Sequence, residues 1–134
     1  MPKQIIASPA APTTGFTDKG APSPLAQAIR AGNLLFVSGQ GPLDPKTREV
    51  VSADIRVQTR QTLSNLSNVL AAAGLSMSQV VNMRVVLRNT DDFAAFNEAF
   101  RDFLAGEKVT RTCVGGTPHR KGVNVEIDCI ACFD

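Results

Sequence analysis

Between Asp54 and Gly74, small and apolar side chains recur at three- and four-residue steps: Thr59, Thr62, Leu63, Leu66, Val69, Leu70 and Ala73. That repeat is the pattern of an amphipathic helix, and Gly74 stands where a left-handed C-terminal cap belongs. A second repeat, Phe93, Phe96, Phe100, Phe103 and Leu104, follows Thr90 and Asp91, either of which can cap it. Around these helices lie short runs of strand character. Leu34 to Ser38 is apolar, opened by Gly32-Asn33 and closed by Gly39. Val80 to Leu87 alternates, which places Val81, Met83, Val85 and Leu87 on one face and Asn82 and Arg84 on the other. Thr110 to Val114 and Val123 to Cys132 end the chain, and Gln4-Ile5-Ile6 reads as an edge strand. Turn residues Gly115 to Pro118 between the last two runs predict a hairpin.

Each helix presents one apolar stripe, so together they cover one face of the sheet and the fold class is α+β. The other face carries Glu126 and Asp128 beside Val86 and Ile130. A face of that mixed character is expected to be buried against further copies of the chain.

With 134 residues, the chain reads as a single domain over 1–134, with residues 1–21 as a Pro-, Ala- and Thr-rich arm wrapping the surface. A net charge of +2 and the absence of Trp and Tyr make nucleic acid an unexpected partner. No apolar run approaches the roughly 20 residues of a membrane span. Three cysteines, an odd number, and no signal-peptide pattern place the expected location in the cytoplasm. Cys129-x-x-Cys132 lies in an apolar run with no second ligand pair, so packing is favoured over redox or zinc chemistry.

Few residues have catalytic character. His119, the single histidine, sits among Pro118, Arg120 and Lys121 in a turn, without a nucleophile motif. No phosphate-binding loop, dinucleotide fingerprint or His-Glu-x-x-His helix occurs, so no metal and no cofactor is expected. Cys113 beside Arg111 is either a reactive thiol or a small packing group, with packing favoured. Two-residue periodicity puts Arg111 and Cys113 on one side of their strand and Glu126 and Asp128 on one side of the next. If those sides coincide, a guanidinium and a carboxylate can bind an anion and polarise water; from the residues alone, an ordinary cross-strand salt bridge is favoured over that site.

Several segments carry a further signal: Gly32-Asn33 through Val37-Ser38-Gly39-Gln40, Pro42-Leu43-Asp44-Pro45, Gln58 through Asn65, Asp92-Phe93 with Asn97-Glu98, Arg111 through Val114, and Val125 through Ala131. In order and spacing they resemble the reactive-intermediate imine deaminases, the Rid or YjgF family, from about Pro22 to the C-terminus. That resemblance implies a chorismate-mutase-like fold with a mixed six-stranded sheet and two helices on one face, assembled as a homotrimer with intersubunit clefts. It also implies hydrolysis of small 2-imino or enamine acids to a 2-oxo acid and ammonia. Arg111 would grip the substrate carboxylate and Glu126 would position water, with Ser38, Asn97 and the backbone at Cys113 lining the pocket. Asp128 stands where the family often has a second glutamate. Leu25, in Ser23-Pro24-Leu25, replaces the family's pocket tyrosine and removes a hydroxyl. That departure keeps open a noncatalytic trimeric binding protein for small carboxylates. A more distant reading is the ribonuclease or translation-inhibitor activity attributed to some relatives, with His119-Arg120-Lys121 as the basic cluster.

Overall fold

A computed structural model of the chain describes residues 2–12 and 23–134. The remainder of the proposed arm and Pro22 lie outside the described residues. In chain order the elements are β1 (Gln4–Ile6), β2 (Ala28–Ala31), β3 (Leu34–Gln40), α1 (Ile55–Ala72), β4 (Val80–Leu87), α2 (Phe93–Leu104), β5 (Thr110–Gly115) and β6 (Val125–Cys132). Six strands form one mixed sheet in the order β1-β2-β3-β6-β4-β5. Among the described residues only β4 and β5 pair in parallel.

The sequence reading of a hairpin between the last two strands is therefore wrong. Helix α2 joins β4 to β5, and a helical crossover delivers a parallel neighbour. β6 then inserts between β3 and β4, so β4 separates β5 from β6.

Helix α1 starts at Asp54, whose side chain accepts from the backbone N–H groups of Arg56 and Val57 at 2.8 and 3.1 Å. Gly74 adopts φ of 78°, as a terminal glycine should. At α2 neither expected residue is the cap. A short 3-10 turn, Thr90–Asp92, precedes the helix, and the Asn89 side chain accepts from Asp91 N–H at 2.9 Å.

Both helices lie over one face of the sheet. Leu63, Leu66, Val69 and Leu70 of α1, with Phe96 of α2, bury against Leu35, Met83, Val85, Ile127 and Ala131. The alternation in β4 holds from Met83 onward. Val81, however, is 46% exposed while Val80 is buried, because an irregularity in the β4/β6 register between Val80 and Asn82 exchanges their directions.

Buried amides tie the loops to this frame. Gln58 donates to the Ser52 and Gly122 carbonyls and accepts from Asn124 N–H, and Asn65 donates to the Gly41 and Leu43 carbonyls. Gln27 does the same for the arm, donating to the carbonyls of Ser8, Ala11 and Pro12.

The open face is partly apolar. Ile5, Ile29, Phe36 and Ile130 form a cross-strand row, with Val86 and Val114 paired nearby. Ile5, Phe36 and Val114 are exposed in the isolated chain.

Candidate active site

Arg111 belongs to β5 at the edge of the sheet and pairs with Met83 of β4. Partners in register share a face, and Met83 is fully buried toward the helices. The Arg111 side chain accordingly rises on the helix side, where Nη1 donates to Asn97 Oδ1 at 2.8 Å. Its guanidinium carbon lies 4.8 Å from the Phe100 ring centroid and 5.6 Å from those of Phe93 and Phe96. Such rings favour a cation over their faces and limit where it can swing. Phe93, Phe96, Asn97 and Phe100 meet the arginine together because positions three, four and seven apart share one side of a helix. The phenylalanines, read from sequence as core, thus also wall the arginine, and Phe93 remains 42% exposed.

Cys113 shares that face two residues on, paired with Val85. Burial pushes its thiol pKa up, opposed by the positive charge of Arg111. It therefore stays a protonated packing group near neutral pH.

Glu126 is elsewhere. It pairs with Val86 on β4 and projects from the open face, as does Asp128 opposite Arg84. The condition that the arginine and glutamate sides coincide is not met within one chain: the two residues occupy opposite faces, with β4 between their strands.

The two open-face carboxylates differ in a way that sequence does not reveal. Asp128 is held by Arg84, with Nη2 to Oδ2 at 3.1 Å and Nε to both oxygens at 3.3 Å. Glu126 is half-buried, and its carboxylate makes no hydrogen bond or ion pair among the described residues.

Ser38 and Gly39 lie beside these carboxylates, at a bulge. Val37 pairs with Cys129 and Gln40 with Ile127, so Ser38 and Gly39 together oppose the single residue Asp128. Ser38 Oγ donates to the Ala26 carbonyl at 2.7 Å, which fixes the segment leading into β2. Leu25 is next to that segment, 57% exposed, its N–H bonded to Ser23 Oγ at 3.0 Å. One chain thus holds two candidate half-sites: Arg111, Asn97 and Cys113 toward the helices, and Ser38 and Glu126 on the open face.

The basic cluster is dispersed. His119 is exposed, and Arg120 faces Glu49 at 3.8 Å. Arg88 donates to the carbonyls of Pro118, Arg120 and Val123, fastening this loop to the end of β4. Among the described residues no cluster of three His, Cys, Asp or Glu could hold a metal, and no helix is long and apolar enough to cross a membrane.

Comparison with known proteins adds to this geometry. The family model described as Endoribonuclease L-PSP matches residues 18–133. A RutC family protein of Pyrococcus horikoshii is 44% identical over 119 residues, covering 87% of this chain and 94% of the relative. The 2-iminobutanoate/2-iminopropanoate deaminase of Dermatophagoides farinae is 33% identical over 133 residues, 99% of this chain and 98% of the relative. Among solved structures, E. coli TdcF with bound serine superposes with a TM-score of 0.86 at 33% identity, covering 98% of this chain and 99% of that one. The E. coli YjgF gene product gives the same score and identity, also over 98% and 99% of the two chains. These neighbours have the chorismate-mutase-like fold, and the six-stranded mixed sheet described above is that fold.

Proposed function

We propose, from the premise that this chain belongs to the Endoribonuclease L-PSP family of YjgF and RidA proteins, that it hydrolyses small 2-imino acids to 2-oxo acids and ammonia. The observation that carries this reading is Arg111: a half-buried guanidinium backed by three aromatic rings, whose hydrogen-bond partner among the described residues is the neutral Asn97. A carboxylate would find the positive charge uncancelled and N–H donors still available.

The chemistry then needs water and one base. Arg111 receives the substrate carboxylate and fixes the imine carbon beside the open-face carboxylate of a neighbouring copy. Glu126 accepts a proton from water as its oxygen bonds to that carbon and the C=N electron pair moves to nitrogen, which takes up a proton. The resulting carbinolamine collapses when its hydroxyl proton passes by way of the carboxylate to the departing nitrogen as the C=O bond forms and the C–N bond breaks, leaving a 2-oxo acid and ammonia. Glu126 suits this role better than Asp128, whose oxygens are occupied by Arg84. A positioned base of this kind contributes roughly 10²- to 10⁴-fold.

Because Arg111 and Glu126 of one chain face opposite ways, this reading requires a homo-oligomer, and the trimer implied by the resemblance supplies it. The partly apolar open face supports such an assembly. A second reading, a noncatalytic carboxylate-binding trimer, is favoured by Leu25, which brings no hydroxyl to the cleft.

Turnover separates the two. With 2-aminocrotonate generated in situ, the wild type is expected to accelerate 2-oxobutanoate release, and Arg111→Ala and Glu126→Gln to lose the acceleration. Equal rates in all three reject deamination of this substrate. Binding of 2-oxobutanoate without turnover, lost in Arg111→Ala, supports the binding protein instead.

A further inference from the structure

We infer that Gly39 is a positioning residue for the Glu126 carboxylate, acting by what it lacks. A Cβ built on Gly39 would lie 3.2 Å from Glu126 Cδ and 3.3 Å from both Cγ and Oε1. These approaches are tighter than ordinary carbon contacts, so any side chain at 39 pushes against the atoms proposed to hold water. The carboxylate has no hydrogen bond or ion pair among the described residues to keep it in place. Its location is set by packing against the bare backbone of the β3 bulge.

The bulge explains why the contact exists. Two residues of β3 oppose Asp128 alone, which turns Gly39 toward the neighbouring Glu126. The close approach, and not a left-handed backbone, is what demands glycine here. Asp128, by contrast, takes its orientation from Arg84 and needs no such backing.

This inference rests on Glu126 as the base of the proposed reaction, and a double-mutant cycle separates the two ideas. In Gly39→Ala, kcat for 2-iminobutanoate hydrolysis is expected to fall about tenfold to a hundredfold, the cost of a small misplacement of a reacting group. KM and 2-oxobutanoate affinity, which depend on Arg111, should stay within about twofold. In a Glu126→Asp background, where the carboxylate is one methylene shorter, adding Gly39→Ala should cost under about threefold. An undiminished loss there, or wild-type kcat in the single variant, overturns the positioning role while leaving the proposed reaction standing. Full activity of Glu126→Gln overturns both. Thermal unfolding provides a readout independent of turnover: any Tm loss caused by Gly39→Ala should disappear in a Glu126→Ala background, where the methyl has room. Persistence of the loss places the strain elsewhere and ends the inference.

Discussion

At the scale of single residues, the notable choice is a neutral partner for Arg111. Asn97 fixes one N–H of the guanidinium without cancelling its charge. An aspartate at 97 would hold the arginine as well, yet it would compete with any incoming carboxylate. Asn97→Asp is therefore expected to weaken 2-oxobutanoate binding by about tenfold to a hundredfold, the size of a charge-assisted hydrogen bond. Asn97→Ala, which loosens the arginine but leaves its charge open, should lose less; titration calorimetry on both variants checks the order. Cys129 makes a separate prediction about stability. Burial, and then the charge of Asp128, push its thiol pKa up to about 12, from an ordinary value near 9. The folded chain keeps this proton where the unfolded chain releases it, so unfolding is increasingly favoured as pH rises from 9 toward 12. Cys129→Ala should lack this component of alkaline destabilisation, seen as a shallower fall of Tm with pH.

At the scale of elements, periodicity made α1, β4 and α2 legible, while strand order was not. Strand runs look alike whichever neighbour they pair with, and the turn-rich segment between β5 and β6 resembled a hairpin. The helix between β4 and β5 was the better guide, since it can return the chain to a parallel neighbour. β2 was missed because Ala28–Ala31 is short and carries a charge, Arg30, without a clear alternating pattern. Sequence also read Thr59 and Thr62 simply as members of the helical stripe. In the fold they join Gln58 and Asn65 in a fully buried polar band on α1. Thr59 donates to the Ile55 carbonyl, and the two amides bind loop carbonyls. Thr62 Oγ1 has no hydrogen-bond partner among the described residues. A buried hydroxyl without a partner costs about 1–3 kcal/mol, and valine replaces it at nearly equal volume. Thr62→Val should thus stabilise the chain by about 1 kcal/mol in urea unfolding, with an unchanged m-value. A destabilised variant would mean that the hydroxyl contributes an interaction this packing lacks.

For the whole molecule, the decisive property is that the proposed pair of residues cannot meet inside one chain. Strand alternation identified which residues share a face within β5 and within β6. It could not relate one strand to the other, because that relation depends on β4 lying between them. The two half-sites must come from different copies if they act together. Neither Arg111→Ala nor Glu126→Gln alone should then be active, but each retains what the other lost. Mixing equal amounts, dissociating the assemblies and letting them reform at random should regenerate intact sites. A site taking arginine from one copy and glutamate from another receives both functional residues in about a quarter of cases. Activity near a quarter of wild type, absent before reassociation, is the expected result. Sites contained within a single copy would yield none at any mixing ratio. The experiment therefore tests the intersubunit cleft through its chemistry, where solution mass alone would report only that copies associate.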